Sequence, residues 1–315
     1  MKQFRRLTAM LGAVACALIL SSPSVWAVNW ASVKGRDIVL LYPGQASWEW
    51  VLSDHSASKT VRTGGKCREC HDTEEADMGK KMVTGKKMEP APIPGKPGSI
   101  PVNIKFVHDA AKIYVRFSWK DTGFHSGAKK DADHPVKVAM MIGDKQVKES
   151  SIAGCWGACH DDATGMASAA DAKRSLYLGA SRTAITRRGG GDNVKPDAEL
   201  ASLVAAGNFL EFWQAEVKSD QSVNIKDGYI FEKRNTSKSP LVEASAELKN
   251  GMWTVTMSRK LKVEEKGRHA MQPDQSYNIG FALHDDYAEG RIHYVSFGYT
   301  LALDKGDADF VALKQ

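Results

Sequence analysis

Two short stretches constrain this chain more than any other part of it: Cys67-Arg68-Glu69-Cys70-His71 and Cys155-Trp156-Gly157-Ala158-Cys159-His160. In both, a histidine directly follows the second of two cysteines. C-x-x-C-H is the pattern of covalent haem attachment. Two thiols reach the two vinyl groups on one edge of a porphyrin, and the adjoining histidine is held under the iron. The second stretch has three residues between its thiols, which needs a bulge but leaves Cys159 and His160 adjacent. Two disulfides or two zinc sites use the same residue types. Neither accounts for the position of the histidine in both clusters. Cys67, Cys70, Cys155 and Cys159 therefore read as thiols for two covalently bound haem c groups, and His71 and His160 as their proximal iron ligands.

The start of the chain fits that chemistry. Residues 1–27 have the form of a secretory signal peptide: basic Lys2, Arg5 and Arg6, an apolar run from Leu11 to Leu20, and Val25-Trp26-Ala27 before the cleavage point. The run is short for a membrane span, and an uncleaved anchor is the alternative. Cys16 lies inside the apolar run, so the four remaining cysteines are all used by the two clusters. Haem is attached covalently outside the cytoplasmic membrane, so a periplasmic location and no membrane span after cleavage are expected. The formal charge of +6 includes the three basic residues of the leader; without them 40 Lys and Arg face 37 Asp and Glu. Haem propionates would bring the balance near neutral. No nucleic-acid partner is indicated.

Residues 28–315 read as a single domain that is mainly β. Ile38-Val39-Leu40-Leu41-Tyr42 is a buried strand stopped by Pro43-Gly44. Strand patterns recur at 102–108, 112–119, 136–142, 209–217, 229–234, 243–248, 252–259, 277–284 and 291–303. The last two are expected to form a hairpin across 285–290. A helix is expected over 196–206, with Asp197 and Glu199 in its first turn. Many short strands without βαβ alternation argue for a β-sandwich. The haem-wrapping insertions, irregular with short helices, are a first haem segment at 55–98 and a second at 150–206.

These residues resemble a family. Tyr42-Pro43-Gly44-Gln45-Ala46-Ser47-Trp48, Tyr114 to Trp119, Val138-Ala139-Met140-Met141, Gly154 to Asp162, Phe281 to Asp286 and His293 to Tyr299 are similar to the haem-binding domain of the ethylbenzene dehydrogenase and dimethyl sulfoxide reductase-like group, in its c-type dihaem cytochrome branch. The resemblance implies a β-sandwich holding haem at one end, and electron transfer as the role. In the dehydrogenase subunit a non-covalent haem is held by Met and Lys. Those two ligands have no assigned positions here.

Two haems need up to two further axial ligands from seven remaining histidines: His55, His108, His125, His134, His269, His284 and His293. His55 lies in a polar loop twelve residues before Cys67. His284 and His293 flank the terminal hairpin. If His293, Val295 and Phe297 share one strand face, His293 is the favoured ligand there, with His284 at the strand end. His108 ends another strand, and His125 and His134 sit in a solvated loop. Met78, Met82 and Met88 are further candidates for the first iron. A Met/His pair gives a higher potential than two histidines. The expected function is a periplasmic dihaem c-type cytochrome, an electron-transfer protein and not an enzyme. Its expected partners are a membrane quinol-oxidising cytochrome and a periplasmic reductase or dehydrogenase. The alternatives are a haem enzyme of peroxidase or oxyanion reductase type with one open iron, and a haem-based redox sensor.

Overall fold

The computed structural model describes residues 28–166, 174–185, 191 and 193–315. Residues 1–27, expected from the sequence to be a leader, lie outside them. In chain order the strands are β1 (Gly35–Leu41), β2 (Ser99–His108), β3 (Lys112–Lys120), β4 (Val136–Gly143), β5 (Leu210–Val217), β6 (Val223–Ile230), β7 (Arg234–Thr236), β8 (Glu243–Lys249), β9 (Met252–Lys260), β10 (Ser276–His284), β11 (Tyr294–Val295), β12 (Tyr299–Leu303) and β13 (Phe310–Lys314). Four short helices follow β1: α1 (Trp48–Ser53), α2 (Ser58–Arg62), α3 (Cys67–His71) and α4 (Glu75–Val83). Helix α5 (Lys148–Ala153) runs into a 3-10 turn at Gly154–Ala158, and α6 (Asp197–Ala205) precedes β5.

The strands are hydrogen-bonded in the order β7-β6-β5-β4-β10-β11-β1-β2-β3-β9-β8, with β12 and β13 forming a second route from β10 to β2. The sheet folds over so that β6 approaches β8 and β5 approaches β9. The chain is mainly β, as its strand spacing implied. On β3, Ile113, Val115, Phe117 and Trp119 alternate into the core, as a period of two demands. The β8–β9 hairpin turns on Asn250-Gly251, both at positive φ (52° and 74°), the left-handed pair that a two-residue turn requires.

The strands nearest the cysteines behave differently. Leu40, Tyr42, Met140, Phe281 and Tyr294 enter the main core, while their chain neighbours Leu41, Met141, Ala282 and Val295 pack into a second cluster with Trp48, Cys155, Trp156 and Phe297. Since alternate side chains point to opposite faces, this part of the sheet is covered on both sides. Both-face burial is why 38–42 and 138–142 read as continuous apolar runs instead of alternating ones. The covers are the two cysteine-bearing segments. Each is a long excursion between adjacent antiparallel strands, from β1 to β2 and from β4 to β5.

Three local expectations change. The segment 229–234 is not one strand: β6 ends at Ile230 and β7 starts at Arg234, with a tight turn between. The return strand after 285–290 is split, because β11 pairs with the end of β10 and β12 with its beginning. Ser296 marks the break: its N–H still donates to Phe281 C=O, but its hydroxyl takes the place of a backbone carbonyl by accepting from Phe281 N–H, and donates to Phe297 C=O. His293 lies just outside β11, so the strand-face argument does not apply to it.

A buried ionic network ties the layers. Glu211 of β5 lies 3.0 Å from Arg259 of β9, and Arg268 lies 2.6 Å from Asp227 of β6. Burial pushes Glu211 up and Arg259 down, the direction desolvation dictates for each.

Candidate functional site

The second motif sits against the sheet because glycines let it. Gly154 has φ +61°, and a Cβ there would stand 3.1 Å from the backbone of Phe297 and Gly298. A Cβ on Gly280 of β10 would stand 2.7 Å from Cys155 N. The 3-10 turn thus lies flat on β10 and on the β11–β12 break. Cys155 and Trp156 are buried, and Trp156 Nε1 donates to Ala46 C=O at 2.8 Å.

Helix α1 joins the two segments. Ser47 caps it by accepting from Trp50 N–H at 3.0 Å. Trp48 N–H donates to Cys159 C=O at 2.7 Å. Glu49 accepts a hydrogen bond from His160 Nδ1–H on one oxygen and from Asp161 N–H on the other. His160 is wholly buried, stacked on Tyr177 with ring centroids 3.9 Å apart. Its Nε2 is a buried nitrogen without a partner. Tyr177 is fixed in turn by its hydroxyl donating to Asp162 at 2.7 Å.

A cavity of about 360 Å³ opens beside the first motif, lined by Cys67, Cys70, His71, His55, Trp50, Met78 and Met82, with Lys66, Lys81 and Lys87 among its charged walls. The His55 and His71 rings both line it, with centroids 5.9 Å apart and planes at 68°. Metal–imidazole bonds are about 2 Å long, so two rings flanking one ion have centroids roughly 6 Å apart. Burial, then the nearness of His71, lowers the His55 pKa and favours the neutral, ligating form. His55 Nδ1 accepts from Ala57 N–H at 3.2 Å. His71 Nδ1 is 2.9 Å from Glu74, whose side chain is 57% exposed.

A second cavity of about 300 Å³ is lined by Cys155, Cys159, Met141, His284 and His293 together with Lys137, Lys226, Arg234 and Arg291. His160 is not on its wall. His284 and His293 stack with centroids 4.9 Å apart. Both Nδ1 atoms are buried and unpartnered, while His284 Nε2 donates to Gly290 C=O at 2.9 Å. Burial holds both rings neutral, lowering His293 to about 4 and His284 well below its usual value. Lys137, Lys226 and Arg291 have carboxylate partners. Arg234 donates to Gln214 and lies over the Phe212 ring, with no carboxylate in ion-pair range among the described residues. An arginine in that position suits an acidic group on whatever fills the cavity.

The cavities adjoin. Ala153, Trp156 and Phe297 wall the first, while Cys155 and Cys159 line the second. His71 stacks on Phe297 at 6.1 Å, and Phe297 on Trp156 at 6.3 Å.

The four cysteines are free thiols. Burial raises Cys67 to about 11 and Cys155 and Cys159 to about 12. Zinc needs thiolates, and no three His, Cys, Asp or Glu side chains converge on a metal-sized point among the described residues. The arrangement fits haem better than zinc: free thiols on cavity walls, unpartnered imidazole nitrogens nearby, and a spare cation.

The other histidines are engaged elsewhere. His108 bonds Asp109 and Asp304, His134 lies beside Asp131, and His269 stacks on Phe209. His125 lies 3.5 Å from Asp286, its side chain 77% exposed. The sequence reading missed Glu49, Tyr177 and Arg234. Glu49 had a signal: a lone acid between two tryptophans needs a buried partner.

The family model for ethylbenzene dehydrogenase matches residues 30–239 and 192–296 of this chain. The chain belongs to that family. The chain is similar to cytochrome c-552 of Stutzerimonas stutzeri, 35% identical over 98% of this chain and 99% of that one. It is also similar to cytochrome c-551 of Rhodocyclus tenuis, 29% identical over 92% of this chain and 100% of that one. Among solved structures, a family 9 carbohydrate-binding module from Caldicellulosiruptor kristjanssonii aligns over 63% of this chain and 65% of that one. At a TM-score of 0.29 and 8% identity, that alignment carries no argument.

Proposed function

We propose that this member of the ethylbenzene dehydrogenase family is a dihaem c-type cytochrome that carries electrons between protein partners outside the cytoplasmic membrane. The observation that carries the reading is that each pair of cysteines lines its own cavity, and each cavity holds at least one histidine from outside the motif. The names of the two cytochrome relatives support it. Residues 1–27 would direct export. No described helix is long and apolar enough to cross a membrane. Residues 28–315 would form one domain with haem segments 55–98 and 150–206. Its partners would be a quinol-oxidising cytochrome and a periplasmic reductase or dehydrogenase.

When bound, each haem iron supplies a one-electron couple. The chain's residues do the rest. Cys67 and Cys70, and Cys155 and Cys159, would anchor the two groups as thioethers. His71 and His160 would be proximal ligands. His55 would complete the first iron, giving up its bond from Ala57 N–H or turning to present Nε2. His293 or His284 would complete the second. Arg234 would meet a propionate. Trp156 and Phe297 would form the apolar partition between the sites.

Intact mass of protein matured in a haem-attaching host tests the reading: two haem increments are expected, and one or none would overturn it. Axial replacements refine it. His55→Ala is expected to open one iron, giving a high-spin signal and carbon monoxide binding, while His108→Ala leaves both spectra unchanged. His293→Ala is expected to open the other iron. If His284→Ala opens it instead, His284 is the ligand.

A further inference from the structure

We propose that Glu49 is a positioning residue that sets the two irons apart in potential, making the iron held by His160 the lower one. The inference rests on His71 and His160 being axial ligands. Each proximal histidine has a carboxylate at Nδ1, but the settings differ. Glu49 and His160 are 1% and 0% exposed, whereas Glu74 beside His71 has a side chain 57% exposed.

An imidazole N–H donating to a carboxylate makes the opposite nitrogen a stronger electron donor to its metal. That favours the oxidised iron and lowers the potential. The effect depends on the dielectric around the carboxylate. Water screens Glu74, so its influence on His71 is small. Glu49 is screened by nothing but protein. Its second oxygen is fixed by Asp161 N–H, which holds the carboxylate in register with Nδ1. Tyr177 stacks on the ring and removes its rotational freedom. Arg174 pairs with Asp162 at 2.6 Å. His160 Nε2, the nitrogen opposite the carboxylate, is the one left without a protein partner.

Spectroelectrochemical titration of the holoprotein tests this. The unaltered protein is expected to titrate in two one-electron steps. Glu49→Gln keeps a hydrogen-bond acceptor but removes the charge. It is expected to raise the lower potential alone, shifting that equilibrium at least tenfold, about 59 mV for one electron. Glu49→Asp is expected to stay near the unaltered value, and Glu74→Gln to move neither step appreciably. A shift in the upper step, or none, in a Glu49→Gln protein with two haems would overturn the proposal. If Glu49→Gln and Glu49→Asp both lose the second haem, Glu49 serves assembly and the proposal falls. Fewer than two haems in the unaltered protein is a different result, and it removes the dihaem reading itself.

Discussion

Replacing Cys155 and Cys159 together with alanine is expected to leave one covalent haem, at Cys67–His71, and to remove the other from the denatured protein. Thioethers survive denaturation, whereas an axial bond from His160 alone does not. Intact mass and the absorbance of the denatured, washed protein read the outcome directly. The loss should be complete, a change from two haem increments to one. The cost should extend to the fold. Both thiols line a cavity against Met141 and Ala282, on a sheet face that the two cysteine-bearing segments cover together. Exposing that apolar face is expected to lower thermal stability and to promote association. An unchanged haem count after denaturation would contradict the assignment of the second motif.

Arg259→Met is expected to destabilise the folded state by about 3–5 kcal/mol, the usual result of removing one partner from a buried pair. Glu211 would lose its close cation in a site with no exposure, and its contact to Arg268, at 3.9 Å, is too long to replace the 3.0 Å contact to Arg259. Denaturant midpoints provide the measurement. Adding Glu211→Gln to the Arg259→Met chain should recover part of the loss, because the orphaned acid is gone. A double-mutant cycle would then show strong coupling between the two. A cost under about 1 kcal/mol for Arg259→Met would mean that the network is dispensable to the fold.

The two Cys/Cys/His clusters stood out in the sequence because covalent haem attachment, the role proposed for them, needs fixed spacings. The strands were legible because β2, β3 and β9 obey a period of two. The helices of the first segment were not. Helices α1 to α4 are 5–9 residues long, too short to be stable by propensity alone. Helices α1, α2 and α4 are held by Val51, Val61 and Met82, which pack inward. His108 was a fair candidate by position, and the fold places it instead against Asp304, 196 residues away in the chain. Ser296 could not be foreseen as the place of the strand break, since its hydroxyl takes the place of a backbone carbonyl only once Phe281 is beside it. Glu49 and His160 are 111 residues apart, and a pairing over that span leaves no periodic trace.

The partition built from Trp156 and Phe297 has a consequence for how the chain is made. A polypeptide threaded through a membrane amino end first delivers Cys67 and Cys70 long before the residues that will wall them in. Phe297, which stacks on His71, follows it by 226 positions. The attachment machinery would therefore meet the first cysteine pair on an open, unenclosed strand of protein. On the proposed reading, the later segment would then close over a site already loaded. Order of synthesis, as much as affinity, would decide which site is filled first.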